Sequence, residues 1–201
     1  MTPTSTATTT LVITVAAIPE GIPEYKRSEW KHWVNDDGDC QDARQEVLIE
    51  ESLEPVTYED DRRCRVEAGR WWAPYLGHHL ENPRHIDVDH HVPLKNAHLS
   101  GGWAWDSERK EEYANYLEDP AHLVAISSRH NRSKGARGPE EWAPPDNDLW
   151  CRYATDWTEV KFRWLLTMTP RGVGNRDGHA RDMRGPANGG GGDAGQHGDS
   201  T

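Results

Sequence analysis

Apolar positions near the C-terminal third, Trp150, Tyr153, Ala154, Trp157, Val160 and Trp164, recur at helical spacing. That period predicts an amphipathic helix over residues 150–166, with one stripe packed on a core. Shorter elements precede it. Asp42 followed three residues later by Gln45, ahead of the run EVLIEESL, predicts a capped helix start. SERKEEYANYL at 107–117 predicts a charged surface helix, and LVAI at 123–126 a short buried strand. PEEW at 139–142 predicts a helical turn with Pro139 in first position. In HIDVDHHVPL, residues 85–94, a flat strand would place Ile86, Val88, His90 and Val92 on one face. His85, Asp87, Asp89 and His91 would then share the other, until Pro93 ends the run. Strands and helices do not alternate regularly, so the expected class is α+β rather than a parallel sheet.

The ends differ from the middle. Residues 1–24 are Thr-rich, and their apolar run LVITVAAI is short and β-branched with no Lys or Arg before Lys26. A secretory leader opens with a positive region. The segment therefore reads as a flexible start, with a cytoplasmic location expected and secretion as the alternative. Residues 171–201 hold ten of the eighteen glycines and almost no apolar side chains. Nothing there offsets the entropy of ordering, so 170–201 reads as a disordered Gly-rich tail. Residues 25–169 form the folded domain, and nothing is long enough to span a membrane. Oligomeric state is not legible.

Charge changes the picture in one respect. The formal net charge is −11, yet residues 35–61 alone carry eleven acids against one base, Arg44. The remainder is near neutral, so a polyanionic partner is not excluded. Cys40, Cys64 and Cys151 show no CxxC spacing, which argues against structural zinc. Cys64 with Cys151 is the expected pair if a disulfide forms, and three free thiols fit equally well.

Two polar clusters carry candidate chemistry: HIDVDHHVPL, and AHLVAISSRHNRSKGARG some forty residues later. Phosphodiester hydrolysis needs a base for water, a cation against developing charge, and groups that hold the backbone. Histidine, with an ordinary pKa of about 6.5, suits the base. Magnesium takes hard oxygen ligands and keeps several waters, so Asp89 and Asn131 suffice as protein donors. Arg129, Arg132, Lys134 and Arg137, with no acid among residues 129–137, supply phosphate contacts.

DVDHHVPL at 87–94, AHLVAI at 121–126 and HNRSKG at 130–135 together resemble the HNH nucleases of the His-Me finger (ββα-metal) superfamily. The branch that looks most similar is the nuclease domain of modification-dependent restriction enzymes and secreted bacterial nucleases. YKRSEWKHW, RQEVL, GRWWAPY, NAHLSGGWAW, PEEW and WCRYATDW extend the likeness over residues 25–167. The resemblance implies a ββα-metal core with additional packing helices, and one divalent ion, Mg2+ or Mn2+, held by Asp89 and Asn131. It implies that His90, three residues before Pro93, is the general base, and that Lys134 lies near the scissile phosphate. The middle position, often an asparagine that braces the hairpin loop, falls on His122 as a third catalytic residue. Asp87 steadies the metal-ligand loop, and Arg129, Arg132 and Arg137 contact substrate, expected to be DNA.

Other residues read as structural. His91 replaces an aliphatic hairpin residue, with a phosphate contact as the alternative, His85 enters the strand, and His78, His79 and His98 are surface or loop histidines, with His98 a weak candidate. NDDGDCQD at 35–42 faintly resembles a calcium loop but reads better as a turn and cap, since Gly38 is out of place. Arg44 with Glu46 reads as an internal ion pair or a substrate contact. Trp71 and Trp72 read as core and rim packing. The alternative functions are a drifted nucleic-acid- or partner-binding module and a structural calcium-binding protein.

Overall fold

The computed structural model describes residues 12–171. The first eleven residues and most of the expected tail lie outside the described residues.

Asp42 accepts the Gln45 N–H and opens helix α1, Ala43–Glu50. Gln45 does not close a reciprocal capping box, because its Oε1 accepts the Val66 N–H at 2.9 Å instead. Two short antiparallel pairs follow: β1, Thr57–Tyr58, with β2, Val66–Ala68, and β3, Trp71–Ala73, with β4, His78–Leu80. Trp71 is buried and donates Nε1–H to the Leu48 carbonyl, while Trp72 faces outward. Core and rim packing is thus what the pair does.

Strand β5, Ile86–His90, pairs antiparallel with β6, Leu123–Ser127, in the register Ile86↔Ser127 to His90↔Leu123. Between the two strands the chain makes helix α2, Leu94–Leu99, and helix α3, Ser107–Ala114. Helix α4, Ser128–Lys134, leaves β6 directly and packs on both strands. Helix α5, Trp150–Arg163, closes the domain. The class is α+β, and among the described residues no helix is long and apolar enough to cross a membrane.

Two cores meet along β5. Ile86, Val88, Leu123 and Ala125 join Val47, Leu48, Val66 and Trp71 on the α1 side. Trp30, Val92, Tyr113, Trp157, Val160 and Trp164 form the second, against α5. The α5 periodicity predicted from sequence is the stripe that enters it. α3 is less superficial than its charge suggested: it ends at Ala114 and buries Lys110, Tyr113 and Ala114. Lys110 pairs there with Glu29 at 3.0 Å.

Several expectations change. Arg44 makes no ion pair with Glu46. Its guanidinium donates to the Pro83 and Ile86 carbonyls at 3.2 Å each, anchoring α1 to the start of β5. His98 is buried, not superficial, and its Nε2 donates to the Pro23 carbonyl at 2.8 Å. Part of the segment expected to be flexible is likewise tied down: Ala16 donates to the Met168 carbonyl and Met168 to that of Thr14, both at 2.9 Å. Such distant backbone pairing leaves no trace in local composition. The acidic segment folds as predicted into side-chain-capped turns, with Asn35, Asp37 and Asp39 accepting nearby backbone N–H groups.

The disulfide joins Cys40 to Cys64, not Cys64 to Cys151, and Cys151 is an exposed free thiol. Folding sets the pairing: Gln41 Nε2 donates to the Arg63 carbonyl at 3.0 Å, and Cys40 and Cys64 stand with Cα atoms 5.2 Å apart. Closing a loop of sequence separation 24 contributes about 3 kcal/mol. Cys40→Ser should therefore lower the unfolding free energy by about that amount in denaturant titration. Cys151→Ser should leave it unchanged, and equal losses from both would refute the pairing.

Candidate active site

Alternation along β5 sends Ile86 and Val88 toward α1 and turns Asp87 and Asp89 toward α4. Asp87 accepts Ser128 Oγ–H at 2.7 Å and Asn131 Nδ2–H at 3.0 Å. A carboxylate only accepts, so the Asn131 amide must present its nitrogen to Asp87. Asn131 Oδ1 is then left without a hydrogen-bond partner among the described residues. Asp87 thus sets the orientation of the predicted ligand on α4.

Asp89 lies two residues on, 7% exposed, and its Oδ2 accepts from Lys134 Nζ. Lys134 is 1% exposed and also donates to the His90 carbonyl at 2.9 Å. Burial pushes the Asp89 carboxyl up and the Lys134 ammonium down, and their mutual attraction opposes both shifts. Lys134 was expected beside a scissile phosphate. Its side chain runs into the protein and supplies the cation that a buried carboxylate needs.

His90 ends the strand, buried, with its ring 5.6 Å from that of Trp33. Its Nε2 meets the Ala114 carbonyl at 2.9 Å, and His122 Nε2 meets the Tyr113 carbonyl at 2.7 Å. These are carbonyls from the last turn of α3, which the helix itself leaves unpaired. A carbonyl only accepts, so both neutral imidazoles carry their proton on Nε2. The lone pair of His90 then resides on Nδ1, which has no hydrogen-bond partner among the described residues. Burial, and then His122, hold the His90 pKa well below the usual histidine value, with the Ala114 carbonyl opposing.

His122 does not line the cleft with His90 but is packed against Tyr113, Tyr116 and Trp164. Burial drives its pKa down to about 4. Its carbonyl accepts the His91 N–H at 2.9 Å across the neck of the excursion between β5 and β6, and its imidazole bond to Tyr113 reaches into that excursion, so backbone and side chain both brace it. His91 turns away from the cleft, buried against Tyr153 and Trp157, its Nε2 on the Tyr153 carbonyl at 3.0 Å. It is structural, as expected, as is exposed His85 in the turn before β5.

Asp89, His90 and Asn131 line one cleft with Tyr25, Arg27 and Lys95. Arg27 and Lys95 are exposed and were not singled out from the sequence. Arg27 belongs to the segment YKRSEWKHW and Lys95 directly follows VPL, but only the fold brings both to the cleft. Arg129 and Arg132 are exposed on α4, without acidic partners among the described residues, and do not line the cleft. Arg137 Nε donates to the Lys134 carbonyl at 3.1 Å and so caps α4. Among the described residues no group of three or more His, Cys, Asp or Glu could hold a metal ion. The candidate donors here are one carboxylate and one amide oxygen.

Burial of neutral His91, with the Lys134 charge next, lowers its pKa to about 3. Unfolded, it titrates near 6.5. Its contribution to stability is therefore complete above about pH 6.5 and is lost as the pH falls toward about 3. Glutamine keeps an Nε2–H donor but does not titrate. His91→Gln should cost about 1 kcal/mol at pH 7. Its melting-temperature deficit should then narrow between pH 6.5 and 4, whereas a constant deficit would clear His91 of acid sensitivity.

No protein-family model matches the chain, and no solved structure matches it. A protein of the fungus Arthroderma benhamiae described as an uncharacterized secreted protein is 32% identical over 168 residues, spanning 83% of this chain and 80% of the relative. A likeness of that extent shows common descent, and the chain belongs to the same family as this fungal secreted protein.

Proposed function

We propose that the chain is a metal-dependent HNH endonuclease with a ββα-metal core, hydrolysing phosphodiester bonds in nucleic acid, DNA in the first instance. One observation carries the reading. An antiparallel strand pair with a helix packed on it brings a neutral histidine with a free Nδ1, a carboxylate and an amide oxygen to one cleft. Asp89 and Asn131 would hold the ion, and two hard oxygens fit magnesium or manganese, which complete their shell with water and substrate. Bound there, the ion supplies positive charge against that developing on the phosphoryl and leaving oxygens.

His90 Nδ1 takes the proton from water, while its Nε2–H stays on the Ala114 carbonyl and fixes tautomer and ring orientation. Asp87 holds Asn131 with its oxygen away from the carboxylate. Arg27 and Lys95, on the cleft wall, hold flanking phosphates, and Arg129 and Arg132 extend the positive surface along α4. These groups read backbone rather than bases, so sequence preference is weak. The secreted relative and the Cys40–Cys64 disulfide favour work in an oxidising, extracellular setting over the cytoplasmic expectation. A second reading, a binding module without catalysis, is favoured by one feature: Lys134 already occupies an Asp89 oxygen.

His90→Ala should lower Mg2+- or Mn2+-dependent plasmid nicking by about 10²–10⁴-fold with the circular dichroism spectrum unchanged. Full activity in that variant, or no EDTA-sensitive cleavage by the wild type, would sink the nuclease reading. Because His90 is held neutral, the acid limb of kcat/KM should fall below the ordinary histidine value of about 6.5. Arg27→Ala and Lys95→Ala should each flatten the salt dependence of DNA binding by roughly one unit of log–log slope, across all sequences alike.

A further inference from the structure

The buried ion pair of Asp89 and Lys134 is the one strongly charged contact at the cleft that the proposed chemistry does not use. Lys134 lies on the last turn of α4, yet its side chain does not run out to solvent as a helix-end lysine ordinarily would. It runs inward and places its ammonium on Asp89 Oδ2 and the His90 carbonyl. Asp87 and Asp89 lie on the same strand face, and the negative charge of Asp87 bears on Asp89. Asp87 is satisfied by the neutral donors Ser128 and Asn131, so among the described residues Lys134 is the sole formal cation bonded to either carboxylate. The other oxygen of Asp89 has no hydrogen-bond partner among the described residues, and Asp89 borders the cleft.

The geometry points to Lys134 as a resident counter-cation at Asp89 that a divalent ion must displace, so that metal affinity is set by an exchange between ammonium and metal. This rests on the proposed metal role of Asp89. With Lys134 in place, the two aspartates and the ammonium sum to one negative charge, and the site stays folded without metal. Without it the two carboxylates face a dication with their full charge. The ammonium keeps the His90 carbonyl when it yields Asp89, since that second acceptor lies on the backbone. Lys134 is therefore a positioning residue that weakens metal binding at rest and prevents an unpaired buried carboxylate.

The test uses Mn2+ alone, without nucleic acid, on the full chain. Affinity is followed by isothermal titration calorimetry, and stability by the Mn2+-induced shift in melting temperature. Lys134→Met should be less stable without metal, gain a larger Mn2+ shift than the wild type, and bind Mn2+ at least roughly tenfold more tightly. Asp89→Asn should abolish the shift in either background, and the double variant should fold because neither charge is left unpaired. If Lys134→Met is unfolded without metal, recovery of its fold on adding Mn2+ supports the exchange. Failure to recover, or an affinity equal to or weaker than wild type, overturns it. A wild-type shift with no gain in the variant removes the exchange alone. No shift in either protein removes the metal role of Asp89 as well, whatever the cleavage assay shows.

Discussion

Alternation along five residues of β5 governs the rest of the molecule. Its backbone is held in register with β6, and each successive side chain must cross to the opposite face. Ile86 and Val88 therefore reach the core beneath α1, and Asp87 and Asp89 are delivered to α4. A one-residue slip would bury two carboxylates among Val47, Leu48 and Trp71 and carry the aliphatic pair to Asn131. Burial of Ile86 and Val88 thus selects the register that assembles the cleft. Arg44 reinforces it by fastening α1 to the Ile86 carbonyl.

At the end of that strand, ordinary helix physics does a second task. α3 stops at Ala114 with carbonyls that its own backbone cannot satisfy. Two histidines fill that need, His90 at the end of β5 on Ala114 and His122 just before β6 on Tyr113. The same contact that caps the helix decides which imidazole nitrogen carries the proton. Aromatic packing on both rings keeps them dry, and dryness keeps them neutral. The bonds to Ala114 and Tyr113 would survive protonation, so it is burial, not hydrogen bonding, that holds both rings neutral.

Charge is segregated by the same strand pair. The side bearing α1 carries the acidic segment, and a cleft there is lined by Asp37, Asp39, Glu46, Glu50, Glu51 and Asp119. Glu51 turns inward and accepts the Ala125 N–H on both oxygens, and burial raises its pKa to about 7. The face of α4 carries Arg129 and Arg132 with no acid in the helix. A polyanion would be turned away from the first face and drawn to the second, although the whole chain is acidic.

Sequence alone determined what local pattern can determine. The α5 stripe, the Asp42 cap, the turns of the acidic segment and the short β6 strand follow from spacing and side-chain type. The gathering of Asp89, His90 and Asn131 was legible as motif and spacing, and the cleft unites them. Tertiary structure decided whatever depends on partners distant in the chain. Lys134 reads as one phosphate contact among arginines, and only the fold shows that Asp89, 45 residues away, takes its charge. His98 and Arg44 go to backbone carbonyls 75 and 39 or more residues off. Cys40 chooses Cys64 because folding sets those two Cα atoms 5.2 Å apart, not because of any spacing rule. A side chain's type states what it can bond, but only the fold supplies the neighbour that leaves it no cheaper alternative in water.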